Sequence, residues 1–195
     1  MITVISKVIT KKLLSNGYLT EADTDETVYG LFSSLSKMLF ALICLAFGVA
    51  FKCTVESVCF YISFLFVKKY AGGFHASTES RCIIISTVSI LLSIWIISFG
   101  KTSSISRNVI FVLAIISGVI IPFLAPVSAM EKPISVSEAK KYRVFSSLRV
   151  LGLIMLCGLL CYYSVFNICI AICISLVLEC VFLITGYIKH IYFCG

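Results

Sequence analysis

A histidine and a cysteine, His75 and Cys82, lie on a short polar stretch between two long apolar segments. A cysteine attacks carbonyl carbons as a thiolate, so it needs a base or an environment that favours an anion. His75 is a candidate base. Cys82 follows polar residues at the start of an apolar segment, where Ser77 or Thr78 can cap a helix whose first N–H groups favour an anion. The pair predicts nucleophilic catalysis by a cysteine.

The spacing of this pair sets a geometric condition. On a straight helix, seven residues separate two side chains by about 10.5 Å along the axis, which is beyond hydrogen-bond reach. We therefore expect the chain to leave the helix between His75 and Cys82, and Gly72 and Gly73 favour such a turn. The alternative is that His75 is an interfacial or solvated loop residue and that Cys82 is only a small residue at the start of a helix.

The composition places most of the chain in lipid. Hydrophobic residues make up 60% of the 195 residues and charged residues 13%, and the mean hydropathy is +1.10. Soluble domains average about 45–50% apolar and about 25% charged residues. The net charge of +7 is spread over several loops, as expected of a membrane protein and not of a nucleic-acid-binding domain.

The ten cysteines do not form a disulfide framework, because most of them lie within apolar runs, where cysteine behaves as a small hydrophobic residue. Cys157 and Cys161, and Cys169 and Cys173, have the i,i+4 spacing that can hold a metal on a helix. Only Glu179 offers a further ligand at a matching position. We predict no metal site and no cofactor.

In residues 1–16 the apolar residues recur at helical spacing, and polar residues, including lysines, fill the other face. This pattern predicts an amphipathic helix in the membrane interface, ended by Gly17. Residues 21–26 are acidic and polar and predict a surface loop.

Six apolar segments follow, and they predict an all-α, polytopic membrane protein with about six transmembrane helices. One membrane-embedded domain would cover residues 1–195, with residues 31–187 as the helix bundle. The second and fifth segments are the shortest, so four spans with two re-entrant segments remain the structural alternative. The six segments are 31–51, 53–67, 82–99, 108–124, 150–165 and 168–187.

The basic residues predict the orientation in the cell membrane. With the N-terminus in the cytoplasm, only Lys52, Lys101 and Arg107 lie outside, and the other 13 of the 16 Lys and Arg residues lie inside. Both termini, His75 and Cys82 are then cytoplasmic.

Three ionisable residues fall within apolar segments, Lys37, Glu56 and Glu179. Lys37 and Glu56 lie near segment ends and can extend toward the interface. Glu179 is near the middle of the membrane, where ionisable groups usually face the bundle interior. It either forms hydrogen bonds between helices or lies on a substrate path.

The motif Lys-x3-Gly-Gly-Phe-His-Ala-x5-Cys at residues 68–82 resembles the accessory gene regulator B (AgrB) family of membrane peptidases, which process quorum-sensing propeptides in Gram-positive bacteria. The amphipathic N-terminus, the number of apolar segments and the basic loop after residue 125 extend the resemblance to nearly the full chain. The family usually has arginine seven residues before the histidine. Here that residue is Lys68, which keeps the charge but loses the bidentate fork of arginine.

The resemblance implies that Cys82 is the nucleophile and His75 the general base of a cysteine endopeptidase. Cys82 would cleave off the C-terminal part of an AgrD-type propeptide, keep the N-terminal part as a thioester, and release it as a thiolactone or lactone ring. An internal Cys or Ser of the propeptide would close the ring, because its effective concentration exceeds that of other nucleophiles. A homodimer is also implied.

Other residues are candidates for supporting roles. Glu79 or Ser86 could orient His75, and backbone N–H groups near Gly72 and Gly73 or at the start of the third span could stabilise an oxyanion. The basic loop from residue 132 to 149 either attracts an acidic propeptide tail or only anchors the topology. The candidates for substrate binding are Lys68, Lys132, Lys140, Lys141, Arg143 and Glu179.

Two other classes of function are compatible with the composition. In a small peptide transporter or exporter without peptidase chemistry, the intramembrane residues Lys37 and Glu179 would matter more than Cys82. In a membrane scaffold or accessory subunit, none of these residues would carry chemistry.

Overall fold

The structure, a computed structural model, describes residues 2–74, 78–100, 104–127 and 135–194. Within these residues the chain is all-helical and has no β-strand, which confirms the predicted fold class. A short 3-10 helix, Glu21–Asp23, precedes α2. The helices are α1 (Ile2–Ser15), α2 (Thr24–Ala50), α3 (Thr54–Ala71), α4 (Glu79–Gly100), α5 (Ser104–Leu124), α6 (Val136–Tyr162) and α7 (Phe166–Cys194).

Each of the six predicted apolar segments corresponds to one helix from α2 to α7. By length and composition, four of these helices can cross a membrane: α2, α4, α6 and α7. α5 contributes a shorter apolar stretch, Asn108–Leu124. α3 has 18 residues and carries Glu56, Lys68 and Lys69, and it rises about 27 Å, close to the thickness of the hydrocarbon layer.

Two predicted loops are helical. Residues 21–26 were expected to form a surface loop, but the 3-10 helix occupies Glu21–Asp23 and α2 begins at Thr24. The basic segment 132–149 was expected to be a loop, but α6 begins at Val136. A capping box starts α6, in which Ser135 Oγ accepts from the Glu138 N–H at 3.3 Å and the Ser135 N–H donates to Glu138 Oε2 at 3.1 Å.

The chain divides into two compact units, and the first is Met1–Ile43. Its α1 ends at Ser15, and Gly17, which was predicted to end it, follows with φ +74°, while the Tyr18 N–H donates to the Leu13 carbonyl at 3.0 Å. Val4 and Val8 on α1 are exposed, as expected of a helix whose apolar side meets lipid. Its place in the membrane interface stays a prediction.

The second unit, Cys44–Gly195, is built around α7. α7 packs most extensively against α3 and α5 and also contacts α4 and α6. In the apolar 18-residue window of α7, 67% of the residues are buried, against 17–22% in the corresponding windows of the other three long spans. The rings of Phe64 on α3 and Phe182 on α7 meet edge to face at 5.9 Å. α7 is therefore the central helix of this unit.

An arginine joins α6 to α3. The Arg149 guanidinium lies 4.2 Å from the ring centres of both Phe66 and Tyr70, and Arg149 Nη1 donates to the Phe66 carbonyl. Tyr70 also stacks on Phe145 of α6, with ring centres 5.2 Å apart. Arg149, predicted as part of a basic loop, thus has a structural role.

We expect Arg149→Lys to lower the free energy of unfolding by about 1–2 kcal/mol, because lysine lacks the planar group that stacks on two rings and bonds the carbonyl. Thermal unfolding in detergent measures this change. The control is Lys141→Arg, since Lys141 is exposed on the same helix and should tolerate the reverse change. Equal stability of Arg149→Lys and the wild type would contradict the packing role.

Candidate functional site

The first element of the candidate site is the turn that follows α3. The Gly72 N–H donates to the Lys68 carbonyl at 3.0 Å and closes the last helical turn. Gly72 then has φ +80° and Gly73 has φ +134°, conformations that residues with a side chain rarely adopt. α3 therefore ends at Ala71, and the next described helix, α4, begins at Glu79. The predicted break in the helix is confirmed.

Gly72 is held against the segment that follows α5. It forms an isolated parallel bridge with Val127, and the Val127 N–H donates to the Ala71 carbonyl at 3.0 Å. A Cβ on Gly72 would collide with the Val127 carbonyl oxygen. The first glycine of the motif is thus required by both backbone conformation and space.

Gly73 is held against α7. A Cβ on Gly186 would lie 3.0 Å from the carbonyl carbon of Gly73 and 3.1 Å from the Phe74 nitrogen, so a side chain here would push the turn away from α7 by a few tenths of an ångström. Gly186 is not among the site residues predicted from the sequence. A glycine within an apolar helix indicates a close helix contact, but it does not say which segment makes that contact.

Below this turn lies Glu179, whose side chain is 0% exposed. A Cβ on Gly73 would lie 3.9 Å from Glu179 Oε1 and 3.6 Å from the Phe182 Cβ. Lys68 Nζ lies 4.7 Å from the ring centre of Phe182, which is one turn along α7 from Glu179, and 4.9 Å from the ring centre of Phe64. The structure therefore brings together Lys68, Gly73 and Glu179, which the sequence analysis named separately.

The candidate nucleophile, Cys82, lies in the first turn of α4 and is half-buried. Its N–H donates to the Thr78 carbonyl at 3.0 Å, which places Thr78 at the capping position of α4. Ser86 follows one turn later and is also half-buried. Cys82 is thus a free thiol near the N-terminus of α4. The backbone N–H groups in the first turn of a helix have no hydrogen-bond partner within the helix.

Some predicted site residues lie outside the part of the chain that the structure describes. His75 and Lys132 are among them, and Glu79 is described only in its backbone, as the first residue of α4. The roles assigned to these residues stay predictions.

The basic residues at the start of α6 differ in their contacts. Lys140 and Lys141 are exposed. Arg143 Nε donates to the buried Ala125 carbonyl at 2.9 Å and so attaches α6 to the segment after α5. Lys140 and Lys141 are therefore better placed than Arg143 to meet a partner.

A group of cysteines joins α6 to α7. The thiol sulfurs of Cys157, Cys169 and Cys173 lie within 4.8 Å of one another. Cys157 Sγ donates to the Cys169 carbonyl at 3.9 Å, and Cys169 Sγ donates to the Cys157 carbonyl at 3.6 Å. These reciprocal hydrogen bonds satisfy the thiols within an apolar region and give them a packing role.

Comparisons with known proteins agree on one family. A family model described as "Accessory gene regulator B" matches residues 6–183. "AgrB-like protein 2" of Clostridium perfringens (strain 13 / Type A) is 26% identical over 175 residues, covering 84% of this chain and 80% of that protein. "Accessory gene regulator protein B" of Staphylococcus saprophyticus subsp. saprophyticus is 28% identical over 90 residues, covering 45% and 46% of the two chains. No solved structure is significantly similar to this chain.

We expect Gly72→Ala to destabilise the protein by about 1–3 kcal/mol through backbone strain alone, with a further cost from the collision with Val127. The matched control is Gly158→Ala on α6, where a Cβ meets nothing within 4 Å and stability should change by less than about 1 kcal/mol. Thermal unfolding in detergent compares the two variants. If both unfold at the wild-type temperature, the close contact with Val127 does not hold the turn.

Proposed function

Because the chain belongs to the accessory gene regulator B family, we propose that it is a membrane-embedded cysteine endopeptidase that matures a signalling propeptide. The observation that carries this proposal is the break between α3 and α4, with Cys82 in the first turn of α4. A continuous helix would hold His75 and Cys82 about 10.5 Å apart. The break removes that obstacle to a Cys–His pair.

The reaction begins when His75 takes the proton of the Cys82 thiol and the thiolate attacks the carbonyl carbon of the scissile peptide bond. The C–N bond then breaks, and His75 gives the proton to the leaving amine of the C-terminal fragment. The N-terminal fragment stays bound to Cys82 as a thioester. Candidate donors to the oxyanion are backbone N–H groups at Gly73 and at the start of α4.

Ring closure follows from the same thioester. A thiol or hydroxyl within the bound fragment attacks the carbonyl carbon, and its proton passes to the departing Cys82 thiolate. The product is a thiolactone when the attacking group is a cysteine and a lactone when it is a serine. Closure is favoured over hydrolysis because the internal group is held beside the thioester.

An AgrD-type propeptide with an acidic tail is the substrate partner in this proposal. Lys140 and Lys141 are exposed near the start of α6 and supply positive charge for such a tail, together with Lys132 and Arg143 of the same basic segment. Lys68 contributes a further positive charge beside the Gly72–Gly73 turn.

The helices place the protein in a lipid bilayer as a multi-pass membrane protein. We further propose the cell membrane as its location, with both termini and Cys82 on the cytoplasmic side, because 13 of the 16 Lys and Arg residues then lie inside. The family resemblance also supports a homodimer.

Cys82→Ala and, separately, His75→Ala should each reduce propeptide cleavage by about 10³-fold or more, since nucleophile and base act as a unit. The measurement is cleavage of purified propeptide by protein in lipid vesicles. Membrane insertion at the wild-type level is the control. Cleavage at the wild-type rate by correctly inserted Cys82→Ala would rule out the proposed nucleophile.

The thioester is tested with a propeptide whose ring-forming residue is replaced by alanine. Its N-terminal fragment should accumulate on Cys82, be released by hydroxylamine, and be absent from Cys82→Ala. Mass spectrometry of the intact protein detects the adduct. Cleavage without any adduct would indicate direct hydrolysis and contradict the ring-closure step.

The double variant Lys140→Glu/Lys141→Glu should raise KM for the propeptide by about 10-fold at low salt and leave kcat nearly unchanged, because exposed charges act mainly on encounter. The effect should shrink as salt is added. Lys52→Glu is the control, because Lys52 lies on the opposite side of the membrane in the proposed orientation. An unchanged KM in the double variant would indicate that the basic segment 132–149 only anchors the topology of the protein in the membrane.

A further inference from the structure

Four cysteine side chains converge where α6 turns back into α7. Cys157 and Cys161 lie near the end of α6, and Cys169 and Cys173 lie near the start of α7. The sulfurs of Cys157, Cys169 and Cys173 lie within 4.8 Å of one another, and Cys161 Sγ lies 3.6 Å from Cys169 Sγ. No other group of three or more potential metal ligands is found among the residues that the structure describes.

A short connection holds the two helices in this register. α6 ends at Tyr162 and α7 begins at Phe166, and the Val165 N–H donates to the Leu160 carbonyl at 2.8 Å within the turn. Each i,i+4 pair of cysteines by itself supplies two ligands, which is why the sequence alone predicts no metal site. The connection places the two pairs side by side, so the fold offers four ligands.

The spacing of the sulfurs suits a four-coordinate thiolate site. Zn–S bonds of about 2.3 Å in a tetrahedron put the ligand sulfurs about 3.8 Å apart. The 3.6 Å between Cys161 Sγ and Cys169 Sγ is close to that value, and sulfurs no more than 4.8 Å apart need to approach by about 1 Å at most. Shared between two side chains, this shift takes rotations of about 20°, within the spread of a rotamer.

The cluster is buried but lies close to the end of both helices. Cys169 and Cys173 are 0% and 2% exposed. Cys161 is partly buried and directly precedes the exposed Tyr162 and Tyr163, a residue type enriched at the membrane–water interface. An ion can therefore enter at Cys161 while the inner sulfurs hold it away from water. Cys169 lies in the first turn of α7, where the backbone N–H groups favour negative charge on the thiolates.

We propose that Cys157, Cys161, Cys169 and Cys173 form a structural zinc site that fastens α6 to α7. Thiolates are soft ligands that suit Zn²⁺ better than Mg²⁺ or Ca²⁺, and four of them form a closed structural site. Each thiol releases its proton to water as its sulfur binds the ion, and no electron is transferred. The hydrogen bonds of Cys157 and Cys169 to each other's carbonyls hold the sulfurs together before the ion binds.

The zinc site stabilises the helix that supports the rest of the second unit. α7 is the central helix, and Gly186 near its other end contacts the turn after α3. Cys169 and Gly186 are about 26 Å apart along α7. The site therefore takes no part in the proposed catalysis, and its test does not depend on the proposed function.

Zinc binding is measured on the purified full-length protein in detergent with a phosphine reductant. The Cys82→Ala background keeps the proposed nucleophile from binding the ion. We expect one Zn²⁺ per chain, and Co²⁺ used as a probe should show the thiolate-to-metal charge-transfer and d–d absorption of a tetrahedral sulfur site. Absence of bound Zn²⁺, or a Co²⁺ spectrum typical of octahedral oxygen ligands, would overturn the proposal.

Cys157→Ser and Cys173→Ser should each weaken Zn²⁺ binding by at least about 100-fold, because loss of an outer-shell partner alone costs about 10–100-fold. The matched control is Cys180→Ser, which replaces another buried cysteine of α7 outside the cluster and should leave the affinity unchanged. Unchanged affinity in Cys157→Ser/Cys173→Ser would mean an adventitious ion only, bound elsewhere, and would refute the site. If these variants fail to insert, Cys161→Ser, at a partly buried position, serves the same comparison.

Thermal unfolding gives a second readout. Zn²⁺ should raise the unfolding temperature of the parent protein, because an ion that binds only the folded state stabilises it. It should not raise that of Cys157→Ser/Cys173→Ser, and an equal rise in both proteins would assign the stabilisation to another site and contradict the proposal. Cu⁺ is the competing soft ion, and binding of one Cu⁺ without any binding of Zn²⁺ would overturn the choice of zinc.

Discussion

The contact on which the rest of the site depends is the approach of the Gly73 main chain to Gly186 on α7. Two glycines at this point let the turn after α3 lie directly on the central helix of the second unit. Gly72 adds a second attachment, to Val127. Together these contacts determine the direction in which the chain leaves α3, and hence where the segment toward α4 begins. A side chain at Gly72 or Gly186 would crowd a neighbouring main chain, and one at Gly73 would strain the backbone at φ +134°.

The same packing explains how polar groups are accommodated in an apolar bundle. Cys157 and Cys169 exchange hydrogen bonds with each other's carbonyls across α6 and α7, and Arg149 and Arg143 bond carbonyls of residues 66 and 125. These groups are satisfied and therefore structural. Glu179 differs because no described residue bonds its oxygens. That contrast distinguishes Glu179 from the other polar groups of the bundle.

The sequence predicted the helical segments well because each depends on local hydropathy. It also predicted that Gly17 follows the end of α1 and that the helix breaks before Cys82, since glycine has the backbone freedom that such turns require. The errors at residues 21–26 and 132–149 share one cause. Charged residues favour loops when only hydropathy is considered, whereas α2 and α6 extend beyond their apolar parts. The capping box of Ser135 and Glu138 was visible in the sequence and marked the true start of α6.

The sequence by itself determined that most of the chain lies in lipid, where its helices are, and that His75 and Cys82 are a candidate pair. Hydropathy and side-chain chemistry are properties of individual residues and short segments. Only the tertiary structure decided that Gly186 meets Gly73 and that Glu179 lies beneath the same turn. Contacts between residues so far apart in the chain depend on how α3 and α7 pack.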